Sequence, residues 1–247
     1  MRIAVIGGSG RIGARLVQIA RAAGHDATAV SRRTGVDIVT GAGVDSALAG
    51  ADAVVDVSRS PSMVPADALA FFTAGTRTLL AVGAAAGVAH HVTLSVVAAR
   101  RMPGAGFLQA KVAQEELVRA SGRPFTIVAA TQFYEFAPGI AASATRGDEV
   151  RLPDVPDQPI AADDVAAELL RALEAGPLDG TIEVGGPEVL RLPDFVGRAL
   201  EVAGDSRRIV VDPGARYFGA LLTGNELLPG PAARHGAIRF AEWLAAH

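Results

Sequence analysis

The chain has no cysteine, which excludes a disulfide frame, a thiol nucleophile and a cysteine-ligated metal. Aromatic residues are sparse at 5%, with one tryptophan and two tyrosines, so phenolic chemistry has only two places to reside. An excess of positive charge is missing as well: 23 basic against 26 acidic residues leave a net charge of −3. The basic residues are scattered, so no nucleic-acid footprint is present and no nucleic-acid partner is expected. Internal repeats and low-complexity tracts are lacking, and no Ser-His-Asp spacing supports a hydrolase. The first apolar strand begins at residue 2 and leaves no room for a signal peptide, so a cytoplasmic location is expected. One long run, Thr78 to Ala99, has no Asp, Glu, Lys or Arg. Gly83, Gly87, His90 and His91 interrupt it, and it reads as a buried helix, a turn and a buried strand rather than a membrane span.

What is present is a glycine turn placed where a dinucleotide fold needs it. Gly7, Gly10 and Gly13 follow a G-x-x-G-x-x-G spacing, entered from the apolar run Ile3–Ile6 and left through a helix-period pattern of Ile12, Leu16 and Ile19. Gly7 suits a positive φ, Gly10 lets the main chain approach a phosphate, and Gly13 lets the helix pack on the strand. The backbone N–H groups around Ser9, Arg11 and Ile12, at the positive end of that helix, complete a pyrophosphate cradle.

With 50% hydrophobic residues over 247 positions, the chain can fill the core of one large α/β domain. Apolar runs predict strands at 2–6, 26–30, 36–39, 53–57, 91–95 and 125–129, with helices at 11–23, 45–49, 66–86 and 107–121. Such alternation gives a Rossmann-type doubly wound parallel sheet, ordered 3-2-1-4-5-6 by right-handed crossovers. Beyond residue 133 the alternation fades into Pro- and Gly-rich connections. The expectation is a single domain over 1–247, with a core of about 1–133 and a small C-terminal substrate-covering region over about 134–247.

The second strand ends in Ser31-Arg32-Arg33, where an NAD-preferring fold carries an acidic residue for the ribose hydroxyls. A hydroxyl and guanidinium groups suit a 2′-phosphate instead, so NADPH is the expected cofactor; an ordinary solvated arginine pair is the alternative. Ser58 and Arg59 follow the fourth strand beside the switch point, where Arg59 either meets the pyrophosphate or stays an exposed loop arginine.

The chain resembles the NmrA-like branch of the atypical short-chain dehydrogenase/reductase superfamily over nearly its whole length. The resemblance is carried by the Gly7–Gly13 turn and the segments 53–57 (AVVDV), 86–95 (AGVAHHVTLS), 110–115 (AKVAQE), 124–128 (PFTIV), 131–133 (TQF) and 162–165 (ADDV). It implies a Rossmann fold, an NADPH site and a substrate pocket roofed by C-terminal segments, in a family that holds both reductases and redox-sensing binding proteins. It also implies a catalytic Lys111 that binds the nicotinamide ribose, and Ser95 as a substrate-orienting hydroxyl. In catalytic relatives a Tyr four residues before that Lys delivers the proton; here the position holds Phe107, and Ala129 stands where many relatives carry Arg. Phenylalanine donates no proton, so the acid must come from elsewhere. Tyr134, in a loop expected to pass over the nicotinamide, is a candidate substitute, with aromatic packing as the alternative.

Other tempting residues read plainly. His90 and His91 are neighbours on a strand, face opposite sides and make a poor metal pair. Asp163 and Asp164 read as a helix cap, and Glu115 and Glu116 as a solvated helix face. Tyr217, Phe218 and Trp243 read as packing, with Tyr217 and Phe218 as candidate pocket walls. The expected function is an NADPH-dependent oxidoreductase acting on a small apolar acceptor such as a quinone, an enone or a conjugated carbonyl. The alternatives are an NADP(H)-sensing binding protein and a redox-neutral enzyme of the same fold. The expected partner is a small-molecule substrate, with no membrane and a homodimer as the assembly considered.

Overall fold

The computed structural model describes residues 1–246, so residue 247 of the expected domain lies outside the described residues. The chain opens with β1 (Arg2–Ile6), α1 (Arg11–Ala22), β2 (Asp26–Val30), α2 (Val44–Leu48), β3 (Ala53–Asp56) and α3 (Pro65–Ala85). Then come β4 (His90–Val96), α4 (Gly106–Ala120), β5 (Phe125–Ala130), α5 (Ala137–Ala144), β6 (Thr145–Arg146), β7 (Glu149–Leu152) and β8 (Pro156–Asp157). The remainder is α6 (Ala162–Glu174), β9 (Gly180–Gly185), β10 (Leu190–Arg191), α7 (Leu192–Val202), β11 (Arg208–Val211), β12 (Arg216–Tyr217), β13 (Ala220–Leu221), β14 (Arg234–His235) and α8 (Phe240–Ala245).

A seven-stranded parallel sheet runs in the order β14-β9-β5-β4-β3-β1-β2, a Rossmann-like α/β fold. The five strands expected at 2–6, 26–30, 53–57, 91–95 and 125–129 are present with the expected neighbours. The central strands are largely buried on both faces because helices cover both; β5 is buried at all six positions.

The expected strand at 36–39 does not form. Asp37 Oδ1 accepts the backbone N–H groups of Val39 (2.8 Å) and Thr40 (3.3 Å), and Asp37 N donates to Ala42 O (2.9 Å), so the segment closes on itself as a turn. Its apolar side chains still serve the core, since Val36 and Ile38 pack with Val44, Leu48, Val54 and Leu79. The long helix and the turn expected within 78–99 are observed as α3, Gly87 at φ +75° and β4. By length and composition α3 is the one helix among the described residues able to cross a membrane, yet its Leu79 is fully buried in that cluster.

The chain divides into two compact units. The first comprises Met1–Ser95, Gln109–Ala129 and Val165–Ile182; the second comprises Val96–Leu108, Ala130–Asp164 and the chain from Glu183 onward. Residues 96–108 belong with the later segments, and 165–182 with the earlier ones. Within the second unit Tyr134, Phe195, Phe240 and Trp243 form an aromatic cluster, with the Tyr134 and Phe240 ring centroids 5.0 Å apart. There, too, β12 and β13 make a hairpin whose turn places Phe218 at φ +47° and Gly219 at φ +97°.

Candidate cofactor and active site

Strand register builds the site within the first unit. Ile6 pairs with both Val30 and Asp56, and Asp56 pairs with Thr93. Gly7, Ser31 and Val57 therefore leave the sheet at one carboxyl edge, level with Leu94 in β4, and this is the edge where open α/β sheets bind ligands. Gly7 sits at φ +80°, and a Cβ on it would stand 2.8 Å from Val57 O. A Cβ on Gly13 would stand 2.4 Å from Gly7 O, so only glycine lets α1 start this close to the turn. Gly8, absent from the expected set, is as tightly placed: its Cβ would lie 2.6 Å from Ala29 Cα.

The start of α1 has the chemistry of an anion site. Its N-cap is Gly10, no side chain caps it, and no acidic residue lies in its first turn. The unpaired N–H groups of a first helical turn then face outward with the positive end of the helix dipole. Ser9 and Arg11 are exposed and Ile12 half-buried along this rim. Ser31 Oγ and Ser58 Oγ, on the loops that flank the turn, are buried with no hydrogen-bond partner among the described residues. Arg32 and Arg33 are exposed in a single 3-10 turn pinned by Ser31 N donating to Thr34 Oγ1 at 2.9 Å, and Arg59 is also exposed. A helix start open to anions, orphaned hydroxyls and guanidinium groups, all on one sheet edge, fit a dinucleotide.

Lys111 lies at the same edge and is 6% exposed. Its ammonium donates to Leu94 O at 2.7 Å and to Gln114 Oε1, and sits 4.4 Å from the centroid of the Phe72 ring. Burial pulls its pKa down to about 8, opposed by the negative charges of Asp56 and Glu115. Gln114 Nε2 in turn donates to Asp56 Oδ2 at 2.8 Å, and Asp56 Oδ1 accepts Ser58 N at 2.9 Å. Ser95, 1% exposed, donates its hydroxyl to Glu115 Oε1 at 2.5 Å, while Glu115 Oε2 accepts Arg119 Nη1 at 2.9 Å.

Glu115 is thus buried at 5% exposure, contrary to the expected solvated face; Glu116 is exposed as expected. The sequence reading also missed Asp56 and Gln114. The available signal was helical spacing, since Gln114 and Glu115 follow Lys111 by three and four residues and share its face.

Of the remaining candidates, Tyr134, Tyr217, Phe107, Asp163 and Asp164 lie in the second unit, and His90 and His91 in the first. Tyr134 is fully buried, donates its hydroxyl to Ile238 O at 3.1 Å, and has its ionisation pushed far up by burial. Tyr217 is buried and donates to Gln132 Oε1 at 2.5 Å, with Phe218 against its ring at 4.9 Å. Phe107 is half-buried in the first turn of α4. Asp163 and Asp164 stand in the first turn of α6, where Glu135 carboxylate oxygens accept Ala162 N at 3.2 and 3.3 Å and Asp164 Oδ2 accepts Ile238 N at 2.9 Å. His90 and His91 are both buried, His90 Nε2 lying 2.9 Å from Thr126 Oγ1.

A glycine turn at the carboxyl edge of a parallel sheet, opening onto an uncapped helix, defines a Rossmann-like nucleotide-binding protein. Residues 7–175 match a family described as NAD(P)H-binding, and the chain belongs to that family. Comparison with curated proteins gives no sequence match. Solved structures share the fold at low identity. MoeE5, in complex with UDP-glucose and NAD, aligns over 99% of this chain and 96% of its own at 17% identity and a TM-score of 0.77. A short-chain dehydrogenase/reductase superfamily protein from Agrobacterium tumefaciens with bound NAD aligns over 100% and 95% at 20% identity, TM-score 0.72. A UDP-glucose 4-epimerase from Thermotoga maritima, with UDP-glucose, aligns over 97% and 90% at 17% identity, TM-score 0.68. The fold is shared with these short-chain dehydrogenase/reductase and epimerase structures.

Proposed function

We propose that the protein is an NADPH-dependent, NmrA-like reductase, cytoplasmic, acting on a small apolar acceptor such as a quinone, an enone or a conjugated carbonyl. The observation that carries this reading is Lys111, an ammonium buried at the cofactor edge and held by Leu94 O, Gln114 and the Phe72 ring. Burying a charge is costly, and such expense concentrates at functional sites.

The roles divide by position. The backbone of Gly7, Ser9, Gly10, Arg11, Ile12 and Gly13 cradles the pyrophosphate; Ser58 and Arg59 flank it. Ser31, Arg32 and Arg33 take the 2′-phosphate, where a carboxylate would repel it. The chemistry that a cofactor held by these residues would supply is hydride donation to an electrophilic carbon of the acceptor. Lys111 binds the nicotinamide ribose and stabilises negative charge developing on the acceptor oxygen. With a pKa of about 8 it is mostly protonated at neutral pH, and once it gives up a proton water restores it. Ser95 has its proton committed to Glu115, so it offers a substrate only lone pairs. Tyr134 is assigned to packing, because its hydroxyl is bonded to Ile238 O and ionises only far above neutral pH. Phe107 donates nothing, which favours quinones and activated alkenes, whose reduction takes its proton from water.

The second reading, an NADP(H)-sensing binding protein, is favoured by Phe107 at the acid position together with the committed hydroxyls of Ser95 and Tyr134. The purified protein, mixed with NADPH and a panel of quinones and enones, is followed by the absorbance of the reduced nicotinamide. Acceptor-dependent oxidation that Lys111→Met lowers by about 100-fold or more is the expected result. Measured NADPH binding with no oxidation by any acceptor sinks the reductase reading in favour of sensing.

A further inference from the structure

Asp56 ends β3 at 1% exposure, and its two oxygens serve two different parts of the first unit. Oδ1 accepts the backbone N–H of Ser58 at 2.9 Å and so shapes the loop that leaves the sheet. Oδ2 accepts the side-chain amide of Gln114 at 2.8 Å, and the carbonyl oxygen of that amide accepts Lys111 Nζ. An amide suits this middle place because it donates to a carboxylate at one end and accepts from an ammonium at the other. The loop held by Asp56 is itself pressed on the phosphate turn, since Val57 O would lie 2.8 Å from a Cβ on Gly7. A ligand that settles on the turn and the loop therefore bears on the same carboxylate that steadies the lysine.

We propose that Asp56 and Gln114 are positioning residues that couple the loop Val57–Arg59 to Lys111, so that a dinucleotide settling on that loop is felt by the lysine ammonium. The proposal rests on the cofactor reading for its ligand and not on turnover. The charged groups facing Lys111 are Asp56 from β3 and Glu115 from its own helix; both favour the ammonium. His91 on β4 interacts with Asp56 and is held toward its neutral form by burial.

Lys111 is the only lysine in the sequence, so lysine labelled with ¹³C and ¹⁵N gives one side-chain resonance whose titration requires no activity. The wild-type resonance is expected to titrate near pH 8 and to move when NADP⁺ is added. In Asp56→Asn the midpoint is expected about one pH unit lower, because an opposite charge within reach is gone. Gln114→Met keeps the Asp56–Ser58 bond, guards against a folding defect in the first variant, and is expected to lose most of the shift that ADP causes in the wild type, ADP being a probe with a pyrophosphate for the turn and the loop but no nicotinamide ribose to touch Lys111. Titration of both variants at the wild-type midpoint, with an undiminished response to ADP, overturns the coupling. Binding of NADP⁺ is followed in parallel by calorimetry. Binding without any movement of the wild-type lysine sinks the coupling alone, whereas absence of binding sinks the cofactor reading and the coupling with it.

Discussion

Asp157 is fully buried in the second unit, and neither carboxyl oxygen has a well-formed hydrogen bond among the described residues. Burial pushes its pKa up to about 8, with the Gln158 backbone N–H offsetting this in part. The unfolded chain titrates near 3.8, so between 3.8 and about 8 unfolding releases a proton from this residue. Its contribution to stability is full below that window, falls as pH rises through it, and is gone above. Asp157→Asn removes the dependence. Urea unfolding at pH 5 and pH 8 should show the variant gaining on wild type by on the order of a few kcal/mol; parallel pH profiles would refute this. At this scale the sequence was legible where spacing carries geometry, as at Gly7 and Gly13. It was misleading where two equal residues differ only in facing: Glu115 and Glu116 look alike, yet only Glu115 shares a face with Lys111 and becomes buried.

Elements were legible where apolar period and punctuation agree. The run from Thr78 resolved into helix, Gly87 turn and strand because glycine at positive φ ends a helix cheaply. The segment 36–39 has a strand's composition, but Asp37 captures its backbone N–H groups before a neighbouring strand can. The sixth and seventh strands escaped notice for the opposite reason: β9 is half-exposed over most of its length, and β14 spans two residues, so neither carries an apolar signal. Leu79 is the fully buried side chain that α3 contributes to the cluster with Val36, Ile38, Leu48 and Val54. Leu79→Ala should lower unfolding free energy by about 2–5 kcal/mol in urea titrations, the cost of a buried leucine cavity. A loss below about 1 kcal/mol would mean that the site collapses around the gap.

At the scale of the whole molecule, membership of an NAD(P)H-binding family links stability to ligand concentration. A ligand held only by the folded chain should add about 2.7 kcal/mol of stability at a hundred times its Kd. NADPH is therefore expected to raise the thermal midpoint more than NADH at equal concentration, and Arg32→Ala should erase the difference between them. An equal loss of both responses in that variant would remove the 2′-phosphate assignment. The interleaving of the two units was not legible from the sequence, because residues 96–108 and 165–182 carry no compositional mark of the unit they join.

The buried Lys111 has a consequence for the life of the chain as well as for its chemistry. Amine-selective reagents attach to exposed lysine amines, and no other lysine exists in this sequence. While folded, the molecule hides its one such attachment point beneath Leu94 and Phe72; opening of α4 presents it. Labelling at residue 111 by an amine-selective reagent therefore reports how often that edge opens in an otherwise folded population.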